Sequence, residues 1–294
     1  MARVTAVSSL GWAHYTLYEA LPRIAAMGFT RVEIASFFSY CFHFNYGSPA
    51  PTELRKMLGR HRLTPVCLNY CGGFYDAWRS EAEGPFVRSL ERKIAEAAEV
   101  GIPMMTIQGF GVRNRRRDRR RQLENAVRAF ERVGKIGAKH GLRMLLEVPH
   151  LLQIMTGVKD TLWVLDRLDP KLVGALLDSS HWGVIGYDID GFLAALGDRL
   201  GHVHLRDSRG SEGDAGGYDL EMTPGRGEVD FRALARALDA SGYRGEVTLE
   251  LEYRDSPFDM IEAEFRRGIL HLERAGWELP HTLKAVARPR AQRP

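Results

Sequence analysis

Four apolar runs in this 294-residue chain each stop in side chains that can ligate a metal ion or move a proton. LLLEVPH places Glu147 and His150 after a run of leucines, and LVGALLDSSH places Asp178 and His181. GHVHLRD places His202, His204 and Asp207, and VTLELEY places Glu250 and Glu252. A buried strand that ends in carboxylates and imidazoles has its functional face at its C-terminal end. Glu147, Asp178, one of His202 and His204, and one of Glu250 and Glu252 make a set of three carboxylates and one neutral imidazole. Those donors suit a single hard or borderline divalent ion, Mn²⁺ first, with Mg²⁺, Co²⁺ and Zn²⁺ also compatible. No thiolate belongs to the set, so a structural zinc site is not expected. His202 and His204, like Glu250 and Glu252, are two residues apart and face the same side of a strand. Spacing alone therefore does not choose between them.

Any one of these clusters alone reads as a loop charge after a strand; four at successive strand ends argue for a site. His150 and His181 each follow a carboxylate by three residues, which suits supporting or substrate contacts better than ligation. Glu33 and His14 fit a pocket wall or an ordinary polar position equally well. Trp12, Phe38, Phe42, Phe44 and Trp182 fit either a substrate pocket or the core.

These residues must be positioned by the elements around them. Apolar runs bounded by Gly, Pro or Ser predict strands at Val4–Ser8, Arg31–Ala35, Thr64–Tyr70, Pro103–Gln108, Arg143–Glu147, Leu172–Asp178, Arg199–Leu205 and Gly245–Tyr253. Between them, i, i+3/i+4 spacing predicts helices at Tyr18–Met27, from an N-cap at Thr52 to about His61, and at Pro85–Val100. Further helices are expected after an N-cap at Asp118, then at Val158–Leu168, Asp190–Leu196, Phe231–Ala240 and Pro257–Ala275. Phe37–Pro51 is an aromatic loop after a strand and reads as binding surface. Ser208–Val229 reads as a Gly-rich loop. Eight strands alternating with helices, with no second composition regime, predict an α/β fold: one (β/α)8 TIM barrel over residues 1–278. Its active site would lie at the C-terminal strand ends. Residues 279–294 are expected to form a basic, disordered tail. No G-x-G-x-x-G turn supports an open doubly wound sheet instead.

The formal charge of +4 conceals an asymmetry. Arg113–Arg121 carries +6 and residues 281–294 carry +4, which leaves −6 on everything else. Basicity confined to two patches disfavours nucleic acid as a partner. The Arg run reads as a solvated loop leading into the helix capped by Asp118. Arginines at a helix N-terminus oppose the macrodipole, which leaves room for an anion there. Three cysteines without C-x-x-C spacing argue against a disulfide framework. No apolar run approaches the ~18–20 residues of a membrane span, and the N-terminus lacks a signal-like apolar stretch. A cytoplasmic protein is expected.

In order, YEALPRIAAMGFTRVEI, LLLEVPH, LLDSSH, HVHLRD, PGRGEVDF and VTLELE resemble the sugar phosphate isomerase/epimerase group of the xylose isomerase-like barrels. That group includes ketose 3-epimerases, hydroxypyruvate isomerase, inosose dehydratase and the endonuclease IV enzymes. The resemblance spans about Val4 to Gly268; the ordered set is specific, each piece alone is not. It implies Glu147, Asp178, His204 and Glu250 as metal ligands. His204 opens the family's His–apolar–basic–Asp order at His204-Leu205-Arg206-Asp207, and Glu250 is the first Glu of the E-x-E pair. It also implies that His181 contacts substrate hydroxyls; His150, Arg206, Trp12, Gln108 and Glu252 are further substrate-binding candidates. The nuclease branch carries additional histidines on the third and fourth strand ends and an Asp-x-His in the strand-seven loop. Here those places read Asn69-Tyr70, Gln108-Gly109 and Asp219-Leu220-Glu221, which disfavours DNA repair.

The implied activity is a divalent-metal-dependent isomerase or epimerase acting on a sugar-like polyhydroxy carbonyl compound. A proton would leave the carbon next to the carbonyl, with Glu147 and Glu250 as the catalytic pair. The alternative is a lyase built on the same site, a dehydratase or a C-glycoside-cleaving enzyme; a non-catalytic partner subunit ranks last. The expected partner is a small molecule, with no membrane, and a homo-oligomer or a small partner subunit is left open.

Overall fold

The structure, a computed structural model, describes residues 1–45, 49–72, 79, 83–107, 114–280 and 283. Its strands in chain order are β1 (Ala6–Ser8), β2 (Arg31–Phe37), β3 (Thr64–Cys71), β4 (Met104–Ile107) and β5 (Arg143–Glu147). They continue with β6 (Val173–Asp178), β7 (Leu200–Leu205), β8 (Asp207–Gly210), β9 (Tyr218–Met222) and β10 (Glu246–Leu249). All but β8 and β9 close into a barrel of parallel strands, ordered β1-β10-β7-β6-β5-β4-β3-β2. Most barrel strands are buried on both faces, which is why they read as apolar runs without alternation. The expected (β/α)8 architecture is the observed one.

Helices α1 (Leu17–Ala26), α2 (Pro51–Arg60), α3 (Glu83–Val100), α4 (Arg119–Lys139) and α5 (Val158–Leu165) follow strands β1 to β5 in turn. After β6 come α6 (Ser179–Ile185) and α7 (Ile189–Leu196); α8 (Phe231–Ala240) precedes β10 and α9 (Phe258–Arg274) follows it. In α4 the buried stripe is Leu123, Ala126, Phe130, Val133 and Gly137, and cutting the fully buried Phe130 to Ala would cost about 3–5 kcal/mol. Its glycines bring the helix close to the barrel. A Cβ at Gly134 would sit 2.6 Å from Val173 Cγ2, and one at Gly137 would sit 2.8 Å from Met144 Cγ. Any larger residue would push α4 away from β5 and β6, the strands that carry Glu147 and Asp178.

Five sequence expectations change. Pro51 occupies the first turn of α2 and Ala50 is its N-cap, so Thr52 lies inside the helix. The stretch expected as a Gly-rich loop holds the antiparallel hairpin β8–β9. The helix α6, directly after β6, was not anticipated; the Asp178 side chain caps it by accepting from the Ser180 N–H at 2.7 Å. Strand β10 stops at Leu249, so Glu250 and Glu252 lie just beyond it. Leu279 and Leu283 are buried in the main core, so the packed chain reaches past residue 278. Residues 281–282 and 284–294 of the expected tail lie outside the described residues. Among the described residues no helix is long and apolar enough to cross a membrane.

Candidate functional site

Glu147 and Asp178 are the last residues of β5 and β6, His204 is the penultimate residue of β7, and Glu250 follows β10 directly. Because β5, β6, β7 and β10 are consecutive around the barrel, the four side chains form one arc. Ligand atoms of Glu147, Asp178 and His204 all lie within 4.8 Å of one another. Glu250 Oε2 lies 3.1 Å from His204 Nδ1. All four residues are at most 2% exposed, so water does not screen their charges.

The pairs that spacing left open separate by depth. His202 sits one layer below His204, with its Nε2 3.0 Å from Thr248 Oγ1 and 3.2 Å from Glu33 Oε2. The same Glu33 oxygen lies 2.8 Å from His204 Nε2. One oxygen in direct contact with both imidazoles accounts for this trio by hydrogen bonds, although its ligand atoms also lie within 4.8 Å of one another. Glu252 lies farther out in the cavity wall, held by Arg254 and by Arg206 Nη1 at 3.4 Å.

His204 provides the test of whether a metal ion fits. Its Nε2 must carry the proton that Glu33 accepts. Its Nδ1 makes no hydrogen bond, yet it faces a carboxylate oxygen at 3.1 Å. Two electron-rich atoms so placed call for a cation between them, and a second proton or a divalent ion meets the need. The carboxylate–histidine pairing behind Nδ1 is the arrangement that fixes the tautomer of metal-binding histidines. In the metal-free chain burial opposes charge on His204, but Glu250 and Glu33 outweigh it and hold the imidazole well above its usual pKa. The residues present therefore fit a divalent ion.

Electrostatics divide the carboxylates. Burial, joined by the neighbouring Asp178 carboxylate, pushes Glu147 up to about 8. Burial also works against Asp178, but the Arg206 guanidinium and nearby histidines hold it well below the carboxylate range. Arg206 Nη2 reaches Asp178 Oδ2 at 2.6 Å, while the Ser180 N–H and hydroxyl donate to Oδ1 at 2.7 and 2.8 Å. Arg206 is itself set by its neighbour. The buried Asp207 carboxylate accepts backbone N–H groups from Ser208, Gly225, Gly227 and Val229, pinning the loop before α8 against the end of β7.

Above the arc lies a cavity of about 250 Å³. Glu147, His150, His181, Arg206, Glu250 and Glu252 line it with polar groups; Leu10, Phe37, Phe38, Tyr40, Leu152 and Leu220 supply apolar wall. The rings of His150 and His181 lie 4.0 Å apart. His150 Nδ1 accepts the Leu152 N–H at 3.1 Å, so the neutral ring carries its proton on Nε2. Burial, with the charge on Arg206 and His204, lowers His181 to about 4. Neither nitrogen of His181 has a hydrogen-bond partner, and Nε2 is 3.8 Å from Glu147 Oε1.

Trp12 is a correction: it is fully buried, stacked on Phe265 at 4.6 Å, and does not line this cavity. Its bulk fills the core where β1 ends. Gln108 lies outside the described residues, as do Arg113 and residues 46–48 of the aromatic loop. Phe38 lines the cavity, Phe44 is core beneath Lys93, and Phe42 is half exposed. Trp182 is half-buried and donates to the Tyr187 carbonyl, and His14 pairs with exposed Asp255. In the Arg run, Asp118 caps α4 as expected, Arg119 pairs with Asp160, and Arg115–Arg117 are exposed. Tyr40, in the cavity wall, belongs to the Phe37–Pro51 stretch expected as binding surface, but sequence reasoning missed the task of Glu33. Its place as a carboxylate inside the buried run of β2 was the only signal for that task.

A family model described as xylose isomerase-like TIM barrel matches residues 21–275. Inosose dehydratase from Lactiplantibacillus plantarum is 27% identical over 285 residues, covering 87% of this chain and 89% of that protein. Among solved structures, D-psicose 3-epimerase from Clostridium cellulolyticum H10, with D-tagatose, superposes with a TM-score of 0.72 at 16% identity. That match covers 94% of this chain and all of the epimerase. The IOLI protein with a bound zinc atom gives a TM-score of 0.76 at 16% identity, covering 92% and 96% of the two chains. At such identities the structural likeness speaks for the fold. With the closed barrel and the family match over most of its length, the chain belongs to the xylose isomerase-like TIM barrel family.

Proposed function

We propose that this protein removes a proton next to the carbonyl of a polyhydroxy compound, with one divalent ion held by Glu147, Asp178, His204 and Glu250. The observation that carries this reading is His204 Nδ1 facing Glu250 Oε2 at 3.1 Å, in an arc completed by Asp178 and Glu147. The ion, when bound, supplies a fixed positive charge beside the oxygens on which negative charge develops. Mn²⁺ is the first ion to test.

The chain's own residues do the rest. Glu147 and Glu250 stand at the two ends of the arc and flank a substrate held between them. One takes the proton and the other returns it: return to the same carbon epimerises, return to its neighbour isomerises. His150 offers its Nε2–H to a substrate oxygen, and His181 adds two open nitrogens beside Glu147. Arg206 adds charge on the same floor, and the apolar wall excludes water from the reacting carbon.

A second reading is a lyase, in which the same proton loss is followed by departure of a hydroxyl from the next carbon. Two observations favour it: the inosose dehydratase relative matches over nearly its whole length, and His150, in the cavity wall, carries an Nε2–H of the kind a leaving hydroxyl needs. Deuterium incorporation from D₂O, followed by NMR across a panel of ketoses and inosose with Mn²⁺, Mg²⁺, Co²⁺ or Zn²⁺, tests both. Exchange with the carbon skeleton intact supports the isomerase or epimerase, and exchange with water loss supports the lyase. No exchange with any substrate and ion would sink the proposal.

A further inference from the structure

Glu250 is held from across the barrel by a hydrogen-bond chain whose direction is fixed at its origin. The Tyr70 backbone N–H donates to Thr106 Oγ1 at 3.1 Å. A backbone N–H can only donate, so Thr106 keeps its own hydrogen to give onward, to Asn69 Oδ1 at 2.9 Å. An amide whose oxygen accepts on that side turns its NH₂ to the other, where Asn69 Nδ2 donates to Glu250 Oε1 at 2.8 Å. Asn69 and Thr106 are directly paired across β3 and β4, and both are fully buried. Neither lines the cavity, and the contact that links the pair to the site is the one from Asn69 to Glu250.

The consequence concerns which oxygen of Glu250 is available. Oε1 is committed to Asn69, and Oε2 is left facing His204 Nδ1 at 3.1 Å, toward the centre of the arc. We infer that Asn69 and Thr106 are positioning residues that pin Glu250 by Oε1 and present Oε2 alone to the ion and the substrate. The role toward the ion and the reaction rests on the function proposed above. Strands β3 and β4 supply no ligand to the arc, yet in this account they aim one. The residue types are demanded by the chain. Position 69 must accept on one side and donate on the other, which Leu cannot do and which Asp would do with an oxygen against an oxygen. Position 106 must carry a hydroxyl, which Ser keeps and Val lacks at nearly the same shape.

The experiment measures Mn²⁺ affinity by calorimetric titration, and kcat and KM for deuterium exchange, on the full chain and on Asn69→Leu, Thr106→Val and Thr106→Ser. Loss of an outer hydrogen-bond partner of a ligand typically weakens metal binding by ~10–100-fold. Asn69→Leu is expected in that range, with kcat falling and KM little changed. Thr106→Val should shift the same way by less, and Thr106→Ser should stay within about twofold of the parent on that scale. Parent-like Mn²⁺ affinity and kcat in both Asn69→Leu and Thr106→Val would overturn the inference. So would Thr106→Ser failing as badly as Thr106→Val, because packing rather than the hydroxyl would then matter. If Asn69→Leu does not fold, the Thr106 pair decides. A parent chain that binds Mn²⁺ but exchanges no proton would remove the proposed reaction alone, and a difference in Mn²⁺ affinity between the two Thr106 variants would still support the positioning role.

Discussion

The two halves of the strand-end ring are built for opposite purposes. Strands β5, β6, β7 and β10 deliver Glu147, Asp178, His204 and Glu250; strands β1 to β4 and the turn after β1 deliver Ser9, Glu33, Asn69 and Thr106. In the second half polar groups bond within the wall. Ser9 accepts the Ala35 N–H and bonds His43, and Thr106 and Asn69 bond each other. In the first half His204 Nδ1, both nitrogens of His181 and Arg206 Nε have no hydrogen-bond partner among the described residues. The first half is the more open of the two around the arc, although Glu33 Oε1 and Ser36 Oγ on β2 also lack partners among the described residues. Groups fixed in place by hydrogen bonds in this way are what an electrostatic centre requires.

The largest break in the comparison should come from the open half. Glu147→Gln keeps the shape of the side chain and removes its ability to take or give a proton. Loss of a general acid–base group typically costs ~10²–10⁴-fold in rate, so exchange from D₂O should fall by about that much while thermal unfolding stays near the parent. Full exchange activity in the variant would show that Glu147 is not the base.

A smaller effect is expected where the halves meet. Glu33 stands on β2 but holds His204 through Nε2 at 2.8 Å. Burial opposes its charge, yet His204 and His202 hold its carboxyl well below the usual range. Glu33→Gln weakens that grip on the ring. Mn²⁺ affinity should drop by roughly 10–100-fold, read by calorimetric titration. An unchanged affinity would mean that the β2 carboxylate is only a structural partner of His202.

The same contrast explains what the sequence revealed and what it concealed. Strands carrying the open half are long apolar runs that stop at a carboxylate or an imidazole, so β5 to β7 were placed to within a residue or so and the four clusters stood out. A period of two puts His202 and His204 on one face, so only depth, set by the reach of Glu33, separates them. Asn69 and Thr106 carry no signal of their own, because an amide and a hydroxyl at the end of an apolar strand look like any strand end. Trp12 attracted attention as an aromatic beside the site, but a large ring after a short strand also fills core, and Phe265 is there to meet it. The β8–β9 hairpin escaped because β8, DSRG, has no apolar residue to mark it, so the alternation of YDLEM in β9 had no visible partner.

The smallest effect tests the more fully bonded half by its imidazole. His43 Nε2 lies 3.1 Å from the Trp12 carbonyl and 3.0 Å from that of Tyr15, so it carries the proton, and Nδ1 faces the Ser9 hydroxyl at 2.9 Å. Burial pulls its pKa down from 6.5 to about 4, with the two carbonyls offsetting part of the fall. Above 6.5 the ring is neutral folded or unfolded and its contribution to stability is complete. As pH falls from 6.5 toward 4 the unfolded chain takes up a proton that the folded chain refuses, so stability is lost across that window. His204 in the metal-free chain slopes the other way: its raised pKa stabilises fully below 6.5, and that contribution is lost as pH rises through the folded value. From about pH 7.5 to about pH 5.5 His43 should cost roughly 1 kcal/mol. His43→Gln should remove that part of the pH dependence, whatever it does to the absolute melting temperature. Denaturant unfolding of the metal-free parent and variant at the two pH values measures it. An identical pH slope in both would mean that the imidazole does not stay neutral in the wall, and the contrast between the bonded and the open half would fail at this point.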